Sequence, residues 1–509
     1  MRAAARMLVT VVLLAATPAV PLAAQSAVAV RAGMLRDRST VPLATLEATR
    51  SGTRDAAAGG VDLATSLSRA YDRRGHAPIW LRQDAITDEA RAMLHAISGV
   101  AARGLDPEHY DSASLATLVA SGLTTAEERA AFDALLSAAT LRLLHELRTG
   151  RVAASDAHLT LSLAPDSTDL AAVLLAIAGS TAPETLLDAQ EPPHAAYHLL
   201  KQALAGYRDR ASLDAASQAQ ASRIVLAMER WRWLPRRFAA PPIFINIPAY
   251  RLEAWRTSED ASDALVMDVV VGDALRHRTP VLADSVRFIE FAPYWNVPSS
   301  IANEELVPVG MRDPYLLTLN HYQILGARGR LLPMTRASVQ AVSAGRASIR
   351  QLPGGTNSLG RVKFLFPNRF DVYLHDTPVQ SGFARIRRDL SHGCIRLADP
   401  EALARLVLRG VAGWDSTAVR RAMAGRTPTR VDLAAPVPVY LLYVTAEARA
   451  DGSVAFHDDI YGYDDELRGL MVRGRAHGPP AVIATAPDGS GAETVGTGHP
   501  AGGLPPGHR

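Results

Sequence analysis

Two hydrophobic periodicities divide the chain. From Val61 to about Arg237 apolar residues recur at three- and four-residue spacing, the period of a helix with one buried face. Ala130-Ala131-Phe132-Asp133-Ala134-Leu135-Leu136 and Leu141-Arg142-Leu143-Leu144-His145-Glu146-Leu147 carry it most clearly, and leucine-rich segments over 170–177 and 197–204 continue it. "GLDPEHY" (Gly104 to Tyr110) and "RTGRV" (Arg148 to Val152) read as turns between helices. Near residue 238 the period shortens. Runs at 243–247, 265–272, 286–291, 362–366 and 371–375 are β-branched or apolar and bounded by Pro and Gly, which predicts strands. Val437 to Ala446 predicts a late buried strand, and Asp399-Pro400 the start of a helix on which Leu403, Leu406 and Val407 share a face.

The pattern predicts an α+β chain: an all-α domain over 61–237, then a mainly β domain over 238–472. Residues 300–350 interrupt the β pattern with polar, helical-looking sequence and are expected to be an insertion capping one face. The ends read differently. Residues 25–60 lack periodicity and predict a linker; beyond about Gly474, Gly, Pro, Ala and Thr dominate, so 473–509 are expected to be a disordered tail. Arg2 and Arg6, the apolar run Met7 to Ala16 and Pro21-Leu22-Ala23-Ala24-Gln25 have the layout of a secretory signal peptide over 1–24. An uncleaved anchor is the alternative, but Pro18 and Pro21 fall inside a run that barely reaches the roughly 20 residues a span needs. A mature protein without a membrane span, in an exported compartment, is the expectation.

Composition adds exclusions. With 48% hydrophobic and 21% charged residues the chain can build sizeable cores. Fifty-four basic against 51 acidic residues leave a net charge of only +3, with no block of one sign, so neither nucleic acid nor a basic membrane-binding surface is indicated.

Cysteine usage changes the picture more. Cys394 is the only cysteine, so no intramolecular disulfide can form, and it is either a buried spectator or a reactive thiol. It sits in Ser391-His392-Gly393-Cys394-Ile395-Arg396. A nucleophilic cysteine needs a base or charge, oxyanion donors and access. Gly393 lets the backbone approach an incoming carbonyl, and a sharp turn into a helix after Cys394 would add the positive end of a helix dipole. Two histidines compete as base. His392 shares a side with Cys394 if the segment is extended, whereas His375 ends a predicted strand 19 positions upstream. His375, His392 and Cys394 could also meet a zinc ion, but they fall short of the usual donor sets, and no metal or organic cofactor is expected.

His375, fifteen intervening residues and then Ser391-His392-Gly393-Cys394 resemble the signature of the L,D-transpeptidases of bacterial peptidoglycan. "MERWRWLP" (Met228 to Pro235), "PYWNVPSSIANEEL" (Pro293 to Leu306), "PGGTNSLGRVKFLFPN" (Pro353 to Asn368) and "VYLHDTP" (Val372 to Pro378) resemble the large Gram-negative branch. "IWL" (Ile79 to Leu81) and "GLDPEHY" resemble its N-terminal scaffold domain. The similarity covers roughly residues 60 to 470 and is strongest between 228 and 400. It implies that Cys394 is the nucleophile and His375 the base, with His392 and Gly393 beside the nucleophile supplying oxyanion amides and Asp376 orienting the imidazole. Arg396, Ser391, Gly355, Asn357 and Lys363 become the substrate-binding candidates.

The resemblance further implies a periplasmic enzyme whose partners are a donor tetrapeptide stem and an acceptor stem, joined 3→3 with loss of D-alanine, and a thiol that carbapenems acylate. A hydrolase that lets water resolve the thioester, or a wall-binding scaffold with a degenerate site, are the rival functions. One departure stands out. The branch carries a peptidoglycan-binding helical module before "MERWRWLP", and here only Arg208 to Ile224 occupies that place.

Overall fold

The computed structural model describes residues 63–157, 159–161, 167–211, 214–255 and 264–476. The expected signal peptide and linker lie outside these residues, as does the expected tail from 477 onward; residues 473–476 instead finish a helix, Tyr463–Ala476.

Helix α1 (Ala126–Thr149) organises the N-terminal half. Thr125 and Glu128 close a reciprocal capping box at its start, satisfying amides that have no partner inside the helix. The sequence predicts one buried face, but Phe132, Leu135, Leu136, Leu141, Leu143, Leu144 and Leu147 are all buried, because helices pack around α1 on several sides. Asp133 is wholly buried on it, and accepts from the Ile79 and Trp80 amides and the Tyr71 hydroxyl. Both carboxyl oxygens thus meet donors, which offsets the cost of burying them.

Two further helices, α2 (Ala195–Ala211) and α3 (Ala215–Arg232), run as a pair and connect the halves. Tyr197, Leu200, Leu204 and Ile224 share a core with Tyr440, Leu442 and Val444 of the β half. Among the described residues, the segment Arg208 to Ile224 comprises the end of α2 and the first half of α3.

The β half closes into a barrel. Its strands are β1 (Leu159–Leu161), β2 (Ile243–Asn246), β3 (Arg251–Trp255), β4 (Ala264–Gly272) and β5 (Val281–Phe291), followed by β6 (Val362–Leu365), β7 (Leu374–His375), β8 (Asp389–Ser391), β9 (Ile395–Leu397) and β10 (Thr429–Leu442). The order β6-β7-β9-β4-β3-β2-β10-β5 returns to β6, which pairs with β5 and removes the open edge. Strand β1, from the otherwise helical half, adds in parallel to β5, and β8 pairs with β4. Two expected strands are redrawn. Of 371–375 only β7 joins the sheet, and β10 starts at Thr429 and ends at Leu442 rather than spanning 437–446.

Register sorts the chemistry from the core. One row across five strands, Ile395–Leu374–Phe364–Ile289–Val431, is apolar and buried. The row beside it, Arg396–His375–Lys363–Glu290–Arg430, is polar and lies on the opposite face, since strand side chains alternate.

The insertion is broader than 300–350. Strands Trp295–Asn296 and Ser348–Gln351 pair at its base, and Val297, Ile301, Leu317, Ile324, Val339, Val342 and Ile349 form a core of its own.

Candidate active site

Strands β7 and β9 run parallel with Leu374 opposite Ile395 and His375 opposite Arg396. Cys394 therefore precedes β9 at the level of Tyr373. Alternation puts Tyr373, His375, Cys394 and Arg396 on one face, while Leu374 and Ile395 anchor the strands in the core behind them. Among the sequence candidates the structure thus brings His375 to the thiol's face through two neighbouring strands.

His375 is 4% exposed, and burial and the nearby Arg396 cation push its pKa down to about 3, so the imidazole is neutral. Its Nδ1 donates to the Asp376 carbonyl at 2.5 Å, a bond that fixes the tautomer and leaves Nε2 unprotonated. Orientation comes from the Asp376 main chain. The Asp376 carboxylate is turned away and accepts from the Arg361 and Thr377 amides.

Cys394 is half-buried, and burial pushes its thiol up to about 11, although hydrogen bonding from the main chain and phenol of Tyr373, and the Arg396 cation, act to lower it. Its Sγ–H points to the Asp371 carbonyl at 3.8 Å. Asp371 has a left-handed backbone (φ 53°), which costs about 1–2 kcal/mol for such a residue and marks a constrained turn beside the thiol. Neutral thiol and neutral base is the resting state these surroundings favour.

The motif around Cys394 is a bent turn and not a helix start. Cys394 leads into β9, and the helix α4 (Pro400–Val407), capped by Asp399 as expected, begins six residues later. The expected helix dipole is therefore not aimed at the thiol. Gly393 takes φ 107°, a conformation side chains rarely adopt. Its N–H donates to Ser391 Oγ, and that hydroxyl donates to the Cys394 carbonyl, so Ser391 braces the turn from inside. Among the described residues no acceptor meets the Cys394 amide, which makes it the available oxyanion donor.

His392 points elsewhere. Its Nε2 lies 2.8 Å from Glu305 Oε1 and its ring lies 4.6 Å from that of His277. Three further candidates prove to be bound internally or apart. Asn357 is wholly buried, its amide donating to the Pro293 and Leu352 carbonyls and accepting from Leu359. Lys363 is paired with Glu290 at 3.0 Å. Gly355 lies exposed in an open loop. Arg396 differs: no carboxylate or carbonyl among the described residues bonds its guanidinium, and burial lowers its pKa while Cys394 and Glu305 act against that.

Three residues at the site escape the sequence reading. Tyr373 sits two positions before His375 and so shares its face, a signal the alternation carried. Thr279 is buried, accepts from the Gly272 amide and donates to the Gly393 carbonyl, tying a distant loop to the motif. Glu305 comes from the insertion, 87 positions before His392, and nothing local announces it.

Residues 241–439 match the L,D-transpeptidase catalytic domain and residues 65–204 the Scaffold domain. A protein of Haemophilus influenzae, named as a candidate L,D-transpeptidase, is 29% identical over 405 residues, covering 79% of this chain and 78% of its own.

Proposed function

From a chain that belongs to the L,D-transpeptidases, with a Scaffold domain ahead of the catalytic one, we propose a periplasmic acyltransferase that joins peptidoglycan stem peptides by 3→3 cross-links. The observation that supports it is the shared face of Cys394, His375, Tyr373 and Arg396 on two parallel strands. Cys394 attacks the carbonyl between the L-centre of the third-position diamino acid and the terminal D-alanine. Because the thiol pKa is raised and the imidazole is neutral, proton transfer to His375 Nε2 accompanies attack and does not precede it. The oxyanion takes the Cys394 amide, and the proton on His375 passes to the departing D-alanine amine. The amine of a neighbouring stem then resolves the thioester.

Export follows from the signal-like N-terminus, and among the described residues no helix is long and apolar enough to cross a membrane. The test is product analysis of the purified full chain on a disaccharide-tetrapeptide. Released D-alanine with 3→3 dimers is expected, and Cys394→Ala and His375→Ala should abolish both. Tripeptide monomer without dimer would reassign the protein as a cysteine hydrolase.

A further inference from the structure

The insertion places one carboxylate against the nucleophile's own motif. Glu305 lies in a short π-helical turn (Ala302–Leu306), a winding that is rare and often functional because it displaces one side chain from the helical register. Its Oε1 meets His392 Nε2 at 2.8 Å, and both side chains remain open to solvent, 51% exposed for Glu305 and 33% for His392. His392 stands two residues before Cys394. Glu305 also lies near enough to Arg396 to act on its charge, and to Tyr322 of the insertion.

The site thus carries two unlike charges on two different parts of the fold. Arg396, from the barrel, has no side-chain hydrogen bond or ion pair among the described residues and suits a carboxylate. Glu305, from the insertion, has His392 as its one ion-pair neighbour among the described residues and suits a cation. A transfer reaction of the kind proposed above needs that distinction, since the donor enters as an amide flanked by carboxylates while the acceptor enters as an ammonium.

We propose that Glu305 binds the acceptor ammonium, with His392 occupying that position until the acceptor displaces it; this rests on the transpeptidase reading. The carboxylate takes one proton from the ammonium and releases it to water through its exposed side. The freed nitrogen lone pair forms the new C–N bond at the thioester carbonyl. Its second proton passes to His375, the C–S bond breaks, and His375 returns the proton to the Cys394 thiolate. One amide, one thiol and one proton result.

The experiment uses the full chain with disaccharide-tetrapeptide as donor and acceptor, and reads the ratio of dimer to tripeptide together with KM for the acceptor. Glu305→Gln should lower the ratio about tenfold or more, the loss of one charge-assisted bond of about 1.5–3 kcal/mol. Glu305→Asp should restore part of it. His392→Gln, which frees Glu305, should hold or raise the ratio. Carbapenem acylation of Cys394, read by intact mass, reports a folded site in each variant. An unchanged ratio in Glu305→Gln, or an equal fall in His392→Gln, overturns the assignment and leaves the pair as a simple contact. A wild-type protein that releases no D-alanine overturns the transpeptidase reading and this one with it.

Discussion

His375 stands in register with Arg396 and not with Cys394, so base and nucleophile face one another diagonally across two parallel strands. Burial of the imidazole, helped by the guanidinium, then sets when the base is available. Burial and that cation hold His375 at about 3, against 6.5 for an ordinary histidine, while the thiol is pushed up to about 11.

Both groups keep their working protonation state between those values, so carbapenem acylation of Cys394 should vary little between about pH 5 and about pH 9. An ordinary histidine base would lose half its activity near 6.5. Arg396→Gln removes the cation that depresses His375, so the acid limb should move to higher pH, and the rate should fall because the forming thiolate also loses a counter-charge. Intact-mass kinetics across this range check both; a wild-type limb near 6.5 counts against the neutral-pair mechanism.

Tyr373 supplies hydrogen bonding to Cys394 from its phenol as well as its main chain. Tyr373→Phe keeps the ring and its edge contact with His375, 5.8 Å between centroids. Loss of a bond to a developing charge, about 1.5–3 kcal/mol, predicts acylation slower by about 10–100-fold with unfolding unchanged. A rate within twofold of wild type would remove Tyr373 from the chemistry.

What could be read in advance followed from local periodicity. The halves and most of the strands come from alternation and spacing inside short windows, whereas the choice of His375 over His392 comes from the resemblance to the L,D-transpeptidases. Long-range contacts set the rest. Asn357 belongs to the quoted loop, yet its amide is consumed by Pro293 and Leu352. The turn of Ser391 to Cys394 is shaped by Thr279 and by the Ser391 hydroxyl, and its bend separates His392 from the thiol despite their spacing. Glu305 reaches the site only through the folding of the insertion, which has its own core.

Asn357 yields a prediction about stability and not about substrate. Asn357→Ala strands the Leu359 amide, the buried Pro293 carbonyl and the part-buried Leu352 carbonyl, at about 1–3 kcal/mol for each group left without a partner. Denaturant unfolding should show a loss of about 3 kcal/mol or more, while KM of the remaining folded enzyme stays near that of wild type. A raised KM at unchanged stability would return Asn357 to the substrate.

Gly360 couples the loop to the base. Its backbone is left-handed (φ 63°), and a Cβ there would lie 2.4 Å from the Asp376 carboxylate. That carboxylate holds the Arg361 and Thr377 amides, and the carbonyl of the same residue orients His375. Backbone strain of about 1–2 kcal/mol and overpacking of about 1–3 kcal/mol predict that Gly360→Ala loses about 2–5 kcal/mol of stability. Asp376 cannot yield without moving its carbonyl, so the imidazole should also lose its fixed tautomer and acylation should slow by tenfold or more. Gly355→Ala, where a Cβ meets open space, should leave both quantities near wild type. Equal behaviour of the two variants would show that the loop does not act through Asp376.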